Sequence, residues 1–435
     1  MKRLAYKKLL NWKNQEKHKP LVIKGVRQVG KTWLIREFGE HEFSSFVYVN
    51  CDSNYQVKEL FENDFDTQRI LRGLSAVSGI NIIPGKTLIC LDEIQEIPRA
   101  VQSLKYFCEN ASEYHVIAAG SLLGIHEHKD ISFPVGKIES LQMHPMSFSE
   151  FLLAVAGQQM YDFLMQSQMD ELAGMHNKLI EYLRQYYFTG GMPEVVQAFI
   201  DGKSPKEVRK IQKQILSDYN DDISKHASNQ QTVRIDQVWQ SIPAQLAKEN
   251  RKFIYANIQK GARAKEFETA IQWLCNSGTV TKINRVSKGS IPLKFYEDFS
   301  AFKLFMVDCG LMGAFTDAPA SEILIGNNIF EEYKGAFTEN FVLQQLQTVL
   351  DELPYYFSAD NSMQELDFIF QNDNAVMPIE VKAEENLRAK SLKVFCMEHP
   401  GVKGIRISMS PYRQQDWMIN LPLYSVERIL QIKDR

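Results

Sequence analysis

A stretch near the start of the chain has the residue spacing of a phosphate-binding loop. It matches the pattern GxxxxGK[ST] without a mismatch and reads Gly25, Val26, Arg27, Gln28, Val29, Gly30, Lys31 and Thr32. An apolar, strand-like stretch precedes it and a helix-like stretch follows it, as this pattern requires. Glycines let the backbone approach a polyanion, and the amides at a helix start bind phosphate. We expect Lys31 to hold phosphate oxygens and Thr32 to place its hydroxyl on Mg²⁺.

Two adjacent carboxylates, Asp92 and Glu93, follow the apolar run Leu88–Leu91. A strand that ends there delivers both acids to the edge of a parallel sheet where ligands bind. Neighbouring strand residues point to opposite sides, so the two acids can serve different roles. We expect Asp92 to hold the Mg²⁺ shell and Glu93 to polarise a water that attacks the terminal phosphate.

Two further polar residues, Ser121 and Gln95, could orient the attacking water or sense the terminal phosphate. Ser121 ends an apolar stretch at 115–121, but a serine that forms a turn fits the same pattern. Efficient hydrolysis also calls for an arginine finger, in cis or in trans. The sequence does not separate the candidates, which are Arg27, Arg69, Arg72, Arg99 and Arg184.

Strand-like and helix-like stretches alternate over this first part of the chain. The pattern predicts a helix at 32–38 and strands at 21–25, 46–50, 87–92, 115–121 and 136–141. Such alternation is typical of βαβ units and predicts a parallel sheet.

With these motifs in place, the chain resembles a prokaryotic AAA-superfamily ATPase whose C-terminal half carries a domain of unknown function. The resemblance rests on segments 25–32, 88–95, 115–121, 145–151 and 190–194 and spans nearly the whole chain. It implies an ASCE-type P-loop topology with Glu93 as catalytic glutamate and Ser121 as sensor. The family usually has Gly-Arg before the fifth strand, where this chain has Gly136-Lys137. A lysine cannot make the bidentate contact of that arginine.

The middle of the chain is helical and contains a basic segment. Helical spacing at 148–156, 160–185 and 206–220 predicts a helical lid. Helices at 235–247 and 264–277 followed by strands at 278–286 and 291–296 suggest a winged-helix-like module. Residues 248–294 hold ten Lys or Arg against three Glu, a local net charge of +7. This is the one place where a DNA or RNA footprint is plausible, and a solvated basic face is the alternative.

Near the end of the chain, three acids and a lysine have the spacing of a second metal site. Glu339 falls on a predicted helix at 331–350, whereas Asp367, Glu380 and Lys382 fall on predicted strands. Converging carboxylates of this kind can hold Mg²⁺ and activate water. The set resembles the PD-(D/E)xK restriction-endonuclease-like fold. A surface hairpin with solvated charges, or the same fold without catalysis, remains open.

Composition excludes several classes of protein. The 435 residues are 44% hydrophobic and 24% charged, with 50 Lys+Arg against 53 Asp+Glu. This balance excludes a disordered or collagen-like chain and a polycation that coats nucleic acid. The chain contains six cysteines and no CxxC pattern, which indicates a reducing compartment. We expect no signal peptide and no membrane span, and therefore a cytoplasmic protein.

The sequence thus predicts an α/β P-loop NTPase with additional modules. The predicted parts are an ATPase core at 1–146, a helical lid at 147–232, a winged-helix-like module at 233–300 and a nuclease-like α/β domain at 301–435. The predicted function is ATP hydrolysis with Mg²⁺ that drives a conformational switch acting on or with nucleic acid. One alternative is an ATP-gated regulatory switch that binds a protein partner through a silent nuclease-like domain. Another is a Mg²⁺-dependent nuclease licensed by ATP.

Overall fold

The computed structural model describes most of the chain. The residues described are 1–52, 54–120, 134–226, 229–247, 252–325, 331–359, 364–383 and 389–432. They form two compact units, Met1–His144 with Asn276–Gly278, and Pro145–Cys275 with Thr279–Arg435. Each unit is described by itself below.

The first unit alternates helices and strands. Its helices are α1 (Ala5–Lys13), α2 (Lys31–Glu42), α3 (Tyr55–Glu62), α4 (Thr67–Ser78) and α5 (Pro98–Asn110). Its strands are β1 (Leu21–Gly25), β2 (Ser45–Asn50), β3 (Thr87–Asp92), β4 (His115–Gly120) and β5 (Glu139–Met143).

In the described part of this unit the strands form one sheet in the order β2-β3-β4-β1-β5, with all pairs parallel. Strand β4 lies between β1 and β3, as an ASCE-type topology requires. Every residue of β3 is buried, because helices cover both faces of a parallel sheet. The predicted parallel sheet is confirmed. Its fifth strand begins three residues later than predicted, since Gly136 has a φ of 75° and lies in a turn.

The second unit begins with helices and ends with a large sheet. Its helices are α6 (Phe148–Ala156), α7 (Gln158–Gln166), α8 (His176–Thr189), α9 (Pro193–Ile200), α10 (Pro205–His226), α11 (Asn229–Leu246), α12 (Ala264–Ser277), α13 (Cys309–Phe315), α14 (Ala320–Ile325), α15 (Glu331–Val349) and α16 (Lys390–Glu398). Its strands are β6 (Val280–Val286), β7 (Glu297–Met306), β8 (Tyr355–Ser358), β9 (Glu365–Asn372), β10 (Ala375–Lys382), β11 (Gly404–Ser408), β12 (Arg413–Gln414) and β13 (Met418–Pro422). The helices predicted for a lid belong to this unit, and the role of a lid stays a prediction.

The described strands of the second unit form one mixed sheet in the order β12-β13-β11-β10-β9-β8-β6-β7. Strands β8, β9 and β10 are antiparallel neighbours, and β10 pairs in parallel with β11 after crossing over through α16. Strand β6 pairs with β7 on one side and with β8 on the other. The first strand predicted for the wing of a separate module, β6, is therefore part of this sheet, and the predicted boundary at 300 falls inside β7.

The predicted strand at 291–296 is wrong. A short 3-10 helix, Leu293–Tyr296, occupies this place, and the partner of β6 is the later strand β7. Pro292 has no N–H to give to a ladder, and its carbonyl accepts from the Phe295 amide in a turn. Strand β7 is not predicted from the sequence, and its residues 301–306 are all buried. Lys303 interrupts this apolar run and is fully buried, with its Nζ 2.8 Å from Glu365 Oε1.

The start of α6 is capped from two directions. Ser147 and Glu150 form a capping box at the first turn. Glu427, near the end of the chain, accepts from the Ser149 amide at 2.7 Å and from the Ser149 hydroxyl at 2.6 Å. Both acids are buried. An acid at a helix start is stabilising because it meets free amides and the positive end of the helix dipole.

A buried aspartate organises the centre of the second unit. Asp308 Oδ2 accepts from the Gly191 amide at 2.6 Å and from Gln344 Nε2 at 2.9 Å. Its Oδ1 accepts from the Leu311 amide at 2.9 Å and so caps α13. A Cβ on Gly191 would lie 2.1 Å from the carbonyl oxygen of Met146, so only glycine fits there.

Within the described part of the chain, the structure contains no helix that is both long and apolar enough to span a membrane.

We predict that Asp308→Asn lowers the free energy of unfolding of this unit by about 1–3 kcal/mol, because an amide group would face backbone donors that now meet a carboxylate. Guanidinium denaturation followed by circular dichroism measures the change. Asp416→Asn, at an exposed position, is the matched control. Equal stability of the two variants would contradict the assignment.

Candidate functional site

The loop predicted to bind phosphate joins β1 to α2 at the edge of the parallel sheet. Gly30 precedes α2 with a φ of 93°, and Gln28 has a φ of 64°, so the backbone turns sharply twice. A Cβ on Gly25 would lie 2.6 Å from the carbonyl oxygen of Met143 on β5. Glycine at positions 25 and 30 therefore lets the loop fold back over the sheet edge.

Lys31 is buried within this loop. Its Nζ donates to the carbonyl oxygens of Gly25 at 2.9 Å and Val26 at 3.1 Å. Burial lowers the pKa of Lys31, while the nearby carboxylates of Glu93 and Asp92 act in the opposite direction. The Lys31 ammonium is thus held by two loop carbonyls, and it is a compact point charge of the kind that binds a phosphate group.

Asp92 ends β3 and is the most heavily bonded acid of the site. Its Oδ2 accepts from the Thr32 hydroxyl at 2.8 Å and from the Tyr48 hydroxyl at 2.7 Å. Its Oδ1 accepts from the Glu93 amide at 3.1 Å. A carboxylate and a hydroxyl in contact are oxygen donors of the kind that Mg²⁺ prefers, so this pair fits the ion expected from the sequence.

Tyr48 is a site residue that the sequence analysis missed. It lies on β2, which pairs in register with β3, and its ring packs 3.9 Å from the guanidinium carbon of Arg36. Burial and the hydrogen bond to Asp92 raise the pKa of Tyr48 to about 12, so it remains a donor at neutral pH. The alternation of side chains along β2 predicts only which face of the sheet Tyr48 lies on. The pairing of β2 with β3 is what brings its hydroxyl to Asp92.

Arg3 is a second residue that sequence reasoning missed. This buried side chain donates to the carbonyl oxygen of Val29 in the loop at 2.8 Å and to that of His144 at 2.7 Å. It ties the loop to the segment that follows β5. No spacing rule links residue 3 to residue 29, so the sequence carries no signal for this contact.

Glu93 lies beyond the end of β3 in a backbone conformation that is rare for a residue with a side chain. Its φ is 50° and its ψ is 44°, a left-handed conformation that costs of order 1–3 kcal/mol. The Glu93 side chain accepts a hydrogen bond from Gln95 Nε2 at 2.6 Å. Such strain is concentrated at functional sites, where the surrounding structure maintains it.

Ser121, the candidate arginine fingers and Lys137 are the remaining residues that the sequence predicts for the ATPase site. Ser121 lies outside the described residues. Among the finger candidates, Arg69 donates to Asp64 and to the Leu60 carbonyl, while Arg99 donates to the Phe61 carbonyl. Lys137, which stands where the family has arginine, forms an exposed ion pair with Glu109 at 2.8 Å.

Of the four residues predicted for a nuclease-like metal site, Glu339, Asp367, Glu380 and Lys382, the structure shows a direct side-chain contact between the last two. Lys382 Nζ lies 2.7 Å from Glu380 Oε1, and the Asp367 carboxylate accepts from the Val381 amide at 2.7 Å. Burial raises the pKa of Glu380, and the ion pair with Lys382 counteracts the shift. Glu339 is buried on α15. Among the described residues no three His, Cys, Asp or Glu side chains form a metal-binding group, so the three acids do not form one cluster there.

A polar row that the sequence analysis missed continues from Glu380 across the sheet. The strand register places Arg406 beside Glu380 and Asn420 beside Arg406. Arg406 Nε donates to Asn420 Oδ1 at 2.8 Å, and the Ser408 hydroxyl donates to the same oxygen at 2.7 Å. These three residues are buried, so the row is an internal polar network.

Most of the first unit matches a known family of protein domains. Residues 17–152 match a family described as an AAA domain. The first unit carries an AAA-type P-loop ATPase domain. Residues 180–322 and 334–424 match two families described as domains of unknown function (DUF8612 and DUF4143). The AAA resemblance expected from the sequence is thus confirmed for the ATPase domain, while the nuclease-like resemblance stays a prediction.

Individual relatives are distant from this chain. "Uncharacterized protein MJ1637" of Methanocaldococcus jannaschii is 26% identical over 137 residues, which cover 32% of this chain and 28% of that protein. A Signal Transduction ATPase with Numerous Domains protein with a tetratricopeptide repeat sensor, PH0952 from Pyrococcus horikoshii, aligns with 12% identity and a TM-score of 0.29. That alignment covers 81% of this chain and 46% of the other. Cdc6p from Pyrobaculum aerophilum aligns with 12% identity and a TM-score of 0.26, covering 75% and 96%.

We predict that Tyr48→Phe raises the Mg²⁺ concentration needed for half-maximal nucleotide binding about threefold to tenfold, because Asp92 loses one of two hydroxyl donors and is held less firmly. Titration of a fluorescent ATP analogue at varied Mg²⁺ measures this. Tyr55→Phe, at a tyrosine that is 74% exposed, is the control. An unchanged Mg²⁺ requirement in Tyr48→Phe would count against the role of Asp92.

Proposed function

We propose that this protein binds ATP with Mg²⁺ at the Gly25–Thr32 loop and hydrolyses it. The observation that carries the proposal is the 2.8 Å hydrogen bond between the Thr32 hydroxyl and Asp92. This bond joins the start of α2 to the end of β3, so the residues expected to bind phosphate and those expected to act on it share one edge of the sheet. The two stretches are far apart in sequence, and only the parallel sheet brings them together.

Each residue at this edge has a distinct task. The loop amides and the Lys31 ammonium bind the phosphate oxygens, which replace the Gly25 and Val26 carbonyls as partners of Lys31. Thr32 and Asp92 hold the metal ion, and bound Mg²⁺ supplies neutralisation of the charge that develops on the phosphates. Glu93 accepts a hydrogen bond from the attacking water and orients it. Tyr48 and Arg3 keep Asp92 and the loop in place.

We predict that Lys31→Ala weakens ATP binding at least tenfold, because the loop loses its only buried cation within the described residues. Glu93→Gln leaves binding within about twofold and lowers kcat by about 100-fold, because an amide is a much weaker proton acceptor. Calorimetry measures binding and phosphate release measures turnover. Lys86→Ala and Glu96→Gln, at exposed positions, are the matched controls. Turnover that survives both Lys31→Ala and Glu93→Gln would overturn the proposal.

We further propose that the second unit couples ATP turnover to a single-stranded nucleic acid. Two phenylalanines near the β6–β7 connection support this: Phe295 is 84% exposed and Phe299 is 72% exposed. Lys288 and Lys294 are exposed in the same short stretch, within the segment that carries a local charge of +7. Exposed aromatic rings among lysines bind single strands by stacking on bases and by contacts to phosphates.

The acids of this stretch are already partnered. Glu297 accepts from Asn284 at 2.6 Å, and Asp298 lies 3.3 Å from Arg285 and accepts from Ser300 at 2.6 Å. The charges of Asp298 and Arg285 offset each other, so that Lys288 and Lys294 against Glu297 leave the stretch 285–299 with a net charge of +1.

We predict that a Phe295→Ala, Phe299→Ala double variant binds a fluorescein-labelled oligonucleotide at least tenfold more weakly than the unaltered protein, because each stacked base contributes about 1–3 kcal/mol. Anisotropy measured at several salt concentrations gives the affinity and its salt dependence, which phosphate contacts require. Tyr55→Ala, an exposed aromatic position of the ATPase domain, is the control. Binding without salt dependence, or equal binding by the double variant, would refute this interface.

A second candidate is a switch that acts on a protein partner, with a nuclease-like sheet that has no catalytic role. Both Glu380 oxygens already have partners, Lys382 and the Leu392 amide, and this favours a structural role for the acid. The same oligonucleotide experiment separates the candidates. Stimulation of ATP turnover by DNA or RNA supports the nucleic-acid role, and cleavage of the oligonucleotide with Mg²⁺ supports a nuclease. If the oligonucleotide is not cleaved and does not change ATP turnover, the switch that acts on a protein partner is the candidate that is left.

A further inference from the structure

A buried glutamine lies directly against the acid that we assign to water activation. Gln95 belongs to the 3-10 turn Ile94–Glu96 that follows β3, and it is 5% exposed. Its Nε2 donates to Glu93 Oε2 at 2.6 Å. A carboxylate only accepts hydrogen bonds, so this contact fixes the orientation of the Gln95 amide group.

The other end of the Gln95 amide has no such partner. Gln95 Oε1 is buried, and among the residues that the structure describes no donor reaches it. A buried acceptor without a donor is costly and is rare in folded proteins, and such an atom often marks a site that another group completes. A water molecule is the smallest group that can donate to it.

The backbone holds Glu93 and Gln95 in a fixed relation. The Glu93 amide donates to Asp92 Oδ1 at 3.1 Å, and the Glu93 carbonyl accepts from the Glu96 amide at 3.0 Å. These bonds maintain the left-handed conformation of Glu93. The turn therefore places the Gln95 amide group, with its unpartnered oxygen, directly beside the Glu93 carboxylate.

We propose that Gln95 is a second water-positioning residue of the ATPase domain. The attacking water donates one hydrogen to Glu93 and the other to Gln95 Oε1, which aims its lone pair at the terminal phosphate. The water oxygen forms a bond to the γ-phosphorus while the bond from that phosphorus to the β,γ-bridging oxygen breaks, and the electron pair leaves with ADP. The proton of the water passes to Glu93. This inference rests on the proposed ATPase function and adds a specific role for Gln95.

A positioning role differs in its consequences from two simpler ones. If Gln95 only supported the fold, its loss would lower stability and nucleotide affinity together with turnover. If Gln95 restrained Glu93 in an inactive position, its loss would raise turnover. If Gln95 positions the water, its loss lowers kcat alone, because the water is ordered for reaction and contributes little to ATP affinity.

The test compares Gln95→Met, which keeps the length of the side chain, with Gln68→Met at an exposed position of α4. Calorimetry with ATP and Mg²⁺ gives Kd, phosphate release gives kcat and KM, and thermal unfolding reports on the fold. We expect Gln95→Met to lower kcat at least tenfold with Kd within twofold and no loss of thermal stability. Gln95→Glu keeps a hydrogen-bond acceptor at this position but loses the donor to Glu93, and we expect it to lower kcat as well. This variant replaces Gln95→Met in the test if Gln95→Met does not fold.

Two outcomes overturn the inference. One is an unchanged or raised kcat in folded Gln95 variants. The other is a fall in kcat that is accompanied by a comparable loss of ATP affinity and of thermal stability. Failure of the proposed function gives a different result, because the unaltered protein would then show no ATP binding or a turnover that Lys31→Ala does not affect.

Discussion

The site depends on one carboxylate oxygen that has two hydroxyl donors. Asp92 Oδ2 accepts from Thr32 on α2 and from Tyr48 on β2, and Asp92 itself ends β3. Three elements thus meet at a single atom. Their positions follow from the parallel register of β2 and β3 and from the loop that starts α2 beside them. Any change in that register would separate the phosphate-binding residues from the acids.

The sequence predicts the parts of the site that rest on local patterns. The loop at 25–32 and the acids at 92–93 are recognisable because a tight turn needs glycine and a buried strand needs an apolar run. Arg3 and Tyr48 carry no such signal, since their contacts depend on how distant elements pair. The same limit applies to Glu339, whose place relative to Asp367 is set by the packing of a helix on a sheet.

The second unit shows where periodicity is ambiguous. Residues 301–306 form a strand buried on both faces, but Lys303 interrupts the apolar run that normally identifies such a strand. The lysine is accommodated because Glu365 lies 2.8 Å away and the Tyr356 ring lies 4.8 Å from its ammonium. The sequence predicts the stretch 291–296 as the partner of β6, whereas the structure has β7 in that place.

The cap of α6 has a consequence for how the protein is made. Ser149 and its partner Glu427 are 278 positions apart, and Phe148 similarly relies on Gln345. Until residues 345 and 427 have been synthesised, the N-terminal amides of α6 lack these two acceptors. Contacts between such distant positions form late because the intervening chain must first be closed into a loop. The cap of α6 therefore cannot be complete before residue 427 has been synthesised, whereas the described strands of the parallel sheet are all present once residue 143 has been added.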